Sequence, residues 1–171
     1  MNKKTQVYDI TITAMMAALV FVGTYFLKFT SLIGYTHLGD CIIILAVCLF
    51  GAKKGALAGA IGAGLSDLLS GFAIWVIPTM CIKALWALVM GLVAYKLLPK
   101  FKYNWIAGAV VGGVVHIACY TLVKVPLFGA QTAISHVPVL TAQTVWGIVA
   151  GGVLYAVLAQ VPAIKKTISY E

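Results

Sequence analysis

Eighteen consecutive residues, Ile10 to Leu27, carry no charge, and five further apolar runs follow. A helix rises about 1.5 Å per residue, so about 20 apolar residues cross the hydrocarbon core of a bilayer. Apolar runs over 10–27, 38–50, 55–71, 75–97, 104–124 and 139–161 predict six spans in one transmembrane domain, residues 1–171. The expected class is all-α and polytopic, because a spanning helix satisfies its own backbone where no water can. Composition agrees: only 9% of residues are charged and 63% are hydrophobic, whereas a soluble domain is about a quarter charged. The run over 38–50 is short, and needs a thinned bilayer or support from neighbours. A re-entrant hairpin over 38–71 is the alternative. Lys3 and Lys4 before an apolar run resemble a signal sequence, but 10–27 is too long for a cleaved core and reads as a retained first span.

All twelve basic residues are lysines, set against Asp9, Asp40, Asp67 and Glu171, for a net charge of +8. Such an excess would suit nucleic acid if it were spread over one face. Here it sits in clusters at the ends of apolar runs, the pattern of membrane topology, so no nucleic-acid partner is expected. With the N-terminus inside, the cytoplasmic ends hold Lys3, Lys4, Lys53, Lys54, Lys96, Lys100, Lys102, Lys165 and Lys166. The outer ends hold Lys28 and Lys124, and Lys83 lies within a span. The expected topology is N-in and C-in.

Cys41, Cys48, Cys81 and Cys119 fall inside apolar runs without CxxC spacing, so they read as free thiols. No GxxxxGK[ST], HExxH or GxSxG occurs, and His116 with Cys119 makes at most half of a metal site. An enzyme, a metal and a bound cofactor are all disfavoured. Uphill transport would need a partner's energy.

Side chains four apart share a helix face. Four such rows are Gly55–Gly59–Ala63–Asp67, Lys83–Ala87–Gly91, Gly108–Gly112–His116–Tyr120 and Gln143–Gly147–Gly151. Small residues at this spacing let backbones approach, so each row is expected to face another helix. In each, the polar member lies toward the outer end, which places Asp67, Lys83, His116 and Gln143 inside the outer half of the bundle. Ionisable groups at such depth line a cavity or pair with one another. His37 and Asp40 stand at the same level. With Trp75, Tyr120 and Trp146 they are expected to complete an outward-open pocket with apolar walls and a few converging polar groups. Structural roles remain open for several of them. Lys83 and Asp67 are candidates for an ion pair, His116 for a helix-to-helix hydrogen bond, Asp40 for the start of span two, and Trp75 and Trp146 for interfacial aromatics.

The chain resembles the substrate-binding S components of energy-coupling factor (ECF) vitamin transporters. The likeness runs through size, six spans and orientation. Its more specific parts are "TAMMAAL" in span one, "HLGD" before span two and "KKGALAGAIGAGLSDLLSG" in span three. The resemblance implies capture of a vitamin from outside and toppling in a bacterial cell membrane. It also implies association with a membrane coupling (T) subunit and two cytoplasmic ATPases. The docking face it implies on the first helix maps to Ala14 and Ala18. "HLGD" and the glycine-rich third helix look most like the pyridoxine or hydroxymethylpyrimidine branch; riboflavin, thiamine and pantothenate are the alternatives. Metal-type relatives carry histidine at the second position, where this chain has Asn2. A stand-alone facilitator is the competing class, but a pore needs polar positions at the inner level too. Apart from Tyr95 and Tyr155, the inner halves of these rows are glycine and alanine.

Overall fold

The computed structural model describes residues 3–31, 34–162 and 164. Its body is helical: α1 (Lys3–Tyr25), α2 (Gly39–Phe50), α3 (Ala52–Leu69), α4 (Ala73–Gly91), α5 (Asn104–Phe128), the short α6 (Ala130–Ser135) and α7 (Val137–Leu158). A π-helical turn, Leu92–Leu97, continues α4. Between α1 and α2 the chain forms an antiparallel hairpin, β1 (Lys28–Ser31) and β2 (Gly34–His37), with Lys28 opposite His37. Apolar periodicity gives no signal for so short a pair of strands, so the sequence alone predicts none between the first two helices.

Four helical stretches are long and apolar enough to cross a membrane: Thr5–Tyr25, Ala73–Leu97, Asn104–Phe128 and Ala130–Leu158. α2 has twelve residues, about 18 Å of helix. α3 has eighteen residues and carries Lys53, Lys54 and Asp67. Leu19, Ile77, Val114 and Val153 are among the many large apolar side chains left on the outside, as expected of helices that face lipid.

α2 is the central element. Ten of its twelve residues are buried, and it packs against α1, α3 and α7. Gly51 sits at φ +84°, a left-handed conformation that glycine adopts without steric cost, so α2 reverses into α3 through one residue. α3 lies between α1 and α4, and α4 packs on α5. At the lysine-rich end, Lys54 Nζ pairs with Asp9 Oδ1 at 3.1 Å and ties α3 to α1.

The rows of small residues set the interhelix spacing. A methyl group built on Gly62 would overlap the Ala17 carbonyl of α1, and one on Gly108 the Met90 carbonyl of α4. One on Gly147 would lie 2.9 Å from Asp40 Cβ, and one on Gly151 3.0 Å from the Cys41 carbonyl. These contacts press α7 onto α2. Against this scaffold Val20, Ile43, Ile44, Val47, Trp86 and Met90 form the apolar core.

Candidate functional site

The end of the bundle away from the lysine clusters holds a cavity of about 320 Å³. α4 contributes Trp75 and Thr79 to its wall, and α5 contributes Tyr120, Lys124 and Phe128. α3 supplies Ala63 and Asp67; Thr24 comes from the last turn of α1 and His37 from β2. The remaining wall is Phe72 just before α4, Thr132 and His136 around α6, and Val139, Leu140 and Gln143 from the start of α7.

The walls are aromatic plates. The Trp75 ring stacks on Phe128 with centroids 5.9 Å apart and meets Tyr120 at 5.9 Å. Lys124 Nζ lies 5.9 Å from the Trp75 ring centroid, within reach of a cation–π attraction. The Tyr120 hydroxyl donates to Thr79 Oγ1 at 3.1 Å, and the Asp67 carboxylate shares the cavity wall with Thr79. Asp67 and Lys124 are the two formal charges among the described lining residues, and they cancel.

Beneath the cavity lies a buried polar network whose direction follows from the chemistry of its members. An ammonium group only donates, so Lys83 Nζ donates to Asp40 Oδ1 at 2.6 Å and to His116 Nε2 at 3.0 Å. His116 therefore carries its proton on Nδ1 and donates it to Thr144 Oγ1 at 3.1 Å. The Thr144 hydroxyl in turn donates to the Leu140 carbonyl at 2.8 Å. The Gln143 amide nitrogen donates to Asp40 Oδ2 at 2.7 Å and to His37 Nε2 at 3.1 Å. The His116 ring stacks on Trp86 at 4.4 Å, and Lys83 Nζ lies 5.2 Å from the Trp86 ring centroid. Lys83, Asp40 and His116 are 1%, 0% and 0% exposed, so the group sits in a low-dielectric floor with its charges matched. Burial pushes the His37 imidazole down to about 4, against the opposing pull of the Asp40 carboxylate.

The structure brings together eight of the nine residues expected at the site. His37, Asp67, Trp75, Tyr120 and Gln143 line the cavity, while Asp40, Lys83 and His116 form its floor. Two expectations are corrected. The partner of Lys83 is Asp40, not Asp67. Trp146 does not line the cavity and is 63% exposed. It precedes Gly147 by about 100° around α7; the glycine face meets α2, so the indole turns outward. Sequence reasoning missed Thr24, Phe72, Thr79, Lys124, Phe128, Thr132, His136, Val139 and Leu140. Thr79, Lys124 and Phe128 had a visible signal, because they continue the rows of Lys83 and Tyr120 outward at four-residue spacing. Ala14 and Ala18 are exposed on α1.

The chain is similar to known proteins at three levels. A family model described as ECF-type riboflavin transporter, S component, matches residues 4–160. An uncharacterized protein of Pyrococcus woesei is 32% identical over 128 residues, covering 73% of this chain and 82% of that protein. A solved structure, described as the S component of a bacterial ECF transporter, superposes with a TM-score of 0.67 at 20% identity. That match covers 90% of this chain and 96% of the other, and it is a likeness of fold. With a family match over nearly the whole chain and a cavity walled by four long apolar helices, the protein belongs to the S components of ECF-type transporters, which are substrate-binding membrane subunits and not enzymes.

Proposed function

We propose that the chain captures a small, flat, uncharged heteroaromatic vitamin from outside the cell, with riboflavin the first candidate. The observation that carries this is the cavity itself: about 320 Å³, walled by Trp75, Tyr120 and Phe128, with Asp67 and Lys124 balancing to no net charge. A volume near 300 Å³ is at the lower end of what drug-sized ligands occupy. It suits a fused ring system better than a single ring. A neutral lining favours a neutral ligand over cationic thiamine or anionic pantothenate, because an unmatched charge would be desolvated without a partner. The family model that matches is named for riboflavin. Pyridoxine and hydroxymethylpyrimidine, suggested by "HLGD", share the flat neutral ring and are the competing ligands.

His37, Asp67, Trp75, Tyr120 and Gln143 contact the ligand in this reading. Asp40, Lys83 and His116 hold His37 and Gln143 in place from below. The chain is one membrane domain crossing six times, with both termini in the cytoplasm. Lys53, Lys54, Lys96, Lys100 and Lys102, at the ends of α3, α4 and α5 away from the cavity, are retained inside, which leaves the cavity facing out. Ala14 and Ala18 offer a close-packing face for a T subunit, and two ATPases supply the energy.

Native mass spectrometry of the purified protein, followed by titration with riboflavin, pyridoxine, hydroxymethylpyrimidine, thiamine and pantothenate, tests the reading. Retained riboflavin with binding far below the millimolar range is expected. Retention of a charged vitamin, or no binding by any of the five, would overturn it. Uptake by the chain alone, without an ATPase, would favour a facilitator.

A further inference from the structure

Gln143 belongs both to the cavity wall and to the polar floor beneath it. A glutamine can offer a ligand either its carbonyl oxygen or its amide hydrogens, because a half-turn of the amide exchanges them. The floor removes that choice. Lys83 Nζ lies 2.6 Å from Asp40 Oδ1, and a carboxylate paired with an ammonium group only accepts. The Gln143 atom 2.7 Å from Asp40 Oδ2 is therefore the amide nitrogen. Turned the other way, the amide would set two oxygens against each other in a low-dielectric site. The second amide hydrogen goes to His37 Nε2 at 3.1 Å.

Both hydrogens are thus engaged below, and Gln143 Oε1 is the polar atom left over. It makes no hydrogen bond among the described residues. Nor is it one of the buried unpartnered atoms there, which are Thr24 Oγ1, His37 Nδ1 and Ser66 Oγ. Oε1 therefore keeps accessible surface, and the cavity that the side chain lines is where that surface opens. A ligand that fills the cavity strips water from this oxygen, and an N–H or O–H of the ligand has to replace it.

We infer that Gln143, its amide held one way round by the floor, is a specificity-determining residue that offers the captured vitamin an acceptor and no donor. The inference rests on the vitamin-capture reading above and adds the polarity of the contact: the ligand turns a donor toward the start of α7. In a flavin that donor is either the imide N–H of the fused ring or a hydroxyl of the polyol chain. Riboflavin carries both. N3-methylriboflavin lacks the N–H, and lumiflavin lacks the chain.

The experiment titrates full-length wild type and Gln143→Met in detergent with these three flavins. Methionine keeps the length of the side chain and removes the amide. Damage to the floor lowers all three affinities together, so the readout is the gap between flavins within each protein. In wild type the flavin without the matching donor should bind about tenfold or more weakly than riboflavin. That gap should close in Gln143→Met. Closure for N3-methylriboflavin places the donor on the ring; closure for lumiflavin places it on the chain. No gap in wild type, or gaps that persist unchanged in Gln143→Met, overturns the inference and leaves vitamin capture standing. If Gln143→Met does not fold, infrared difference spectra of wild type with carbon-13 in the glutamine side-chain carbonyls decide. Gln143 is the one glutamine among the described lining residues, and its carbonyl band should fall in frequency when riboflavin binds, because a hydrogen bond in a dry cavity is stronger than one to water. A band that rises or does not move overturns the inference. If wild type binds no flavin, the riboflavin assignment fails by itself, and the same fall is required with the ligand that mass spectrometry finds. The absence of any ligand overturns both readings.

Discussion

Lys83 Nζ sits 2.6 Å from Asp40 Oδ1, and the two side chains are 1% and 0% exposed. Removing one member of a buried pair leaves an uncompensated charge and costs about 3–5 kcal/mol. Asp40→Ala and Lys83→Ala should each lower unfolding stability in detergent by about that amount. A joint Asp40→Leu, Lys83→Met variant should lose much less than the sum, because no charge is left buried. Additive losses would show that the two residues do not act as a unit.

Trp75 stands in the cavity wall, whereas Trp146 is 63% exposed on the outside of α7. Tryptophan fluorescence should be quenched by riboflavin, and Trp75→Phe should remove most of the ligand-dependent change. Trp146→Phe should lower total emission and leave the binding curve where it was. A binding curve lost only in Trp146→Phe would reverse the placement.

A side chain at Gly147 meets Asp40 Cβ at 2.9 Å. Gly147→Val should push α7 off α2 and draw the Gln143 amide away from its 2.7 Å contact with Asp40. Overpacking of this kind costs about 1–3 kcal/mol, and the strain falls beside the cavity. Both melting temperature and riboflavin affinity should fall. Gly152→Val, where a methyl group would lie 2.5 Å from the Trp105 ring, away from the cavity lining, should cost stability alone.

The sequence exposes faces and depths but not which helix stands opposite. Asp67, Lys83, His116 and Gln143 were legible as inward-facing groups of one depth because small residues recur every four positions below them. The Lys83–Asp40 pairing was not legible, because the sequence does not say that α2, between α3 and α7, brings its first turn to α4. Trp146 failed for a related reason: its depth is right and its face is wrong. The hairpin over Lys28–His37 left no periodic trace.

Burial lowers the His37 pKa from 6.5 to about 4, with Asp40 opposing the shift and Lys83 and Lys28 adding to it. The folded chain thus holds His37 neutral while the unfolded chain protonates it. Its contribution to stability is complete above about pH 6.5 and declines as pH falls toward 4. Protonation also removes the lone pair that accepts from Gln143. Melting temperatures between pH 4 and 8 should show this decline in wild type. His37→Gln should flatten it, and an unchanged slope in that variant would assign the titration elsewhere.

Ala14 and Ala18 are exposed on α1, away from the cavity lining. Helices in lipid associate through close backbone approach, which a leucine blocks. The double Ala14→Leu, Ala18→Leu variant should bind riboflavin like wild type but fail to co-purify with a T subunit and its ATPases. Normal co-purification would move the docking face elsewhere.

The enclosed position of α2 has a consequence for how the chain is made. Asp40 meets its lysine 43 positions downstream and its glutamine 103 positions downstream. At about 5–20 residues per second, the second partner emerges roughly 5–20 s after the aspartate does. During that interval a twelve-residue helix with a carboxylate in its first turn has no finished bundle around it. Until α4 and then α7 have been made, the Asp40 carboxylate lacks first both and then one of these partners, so the central helix is the last element whose surroundings are complete.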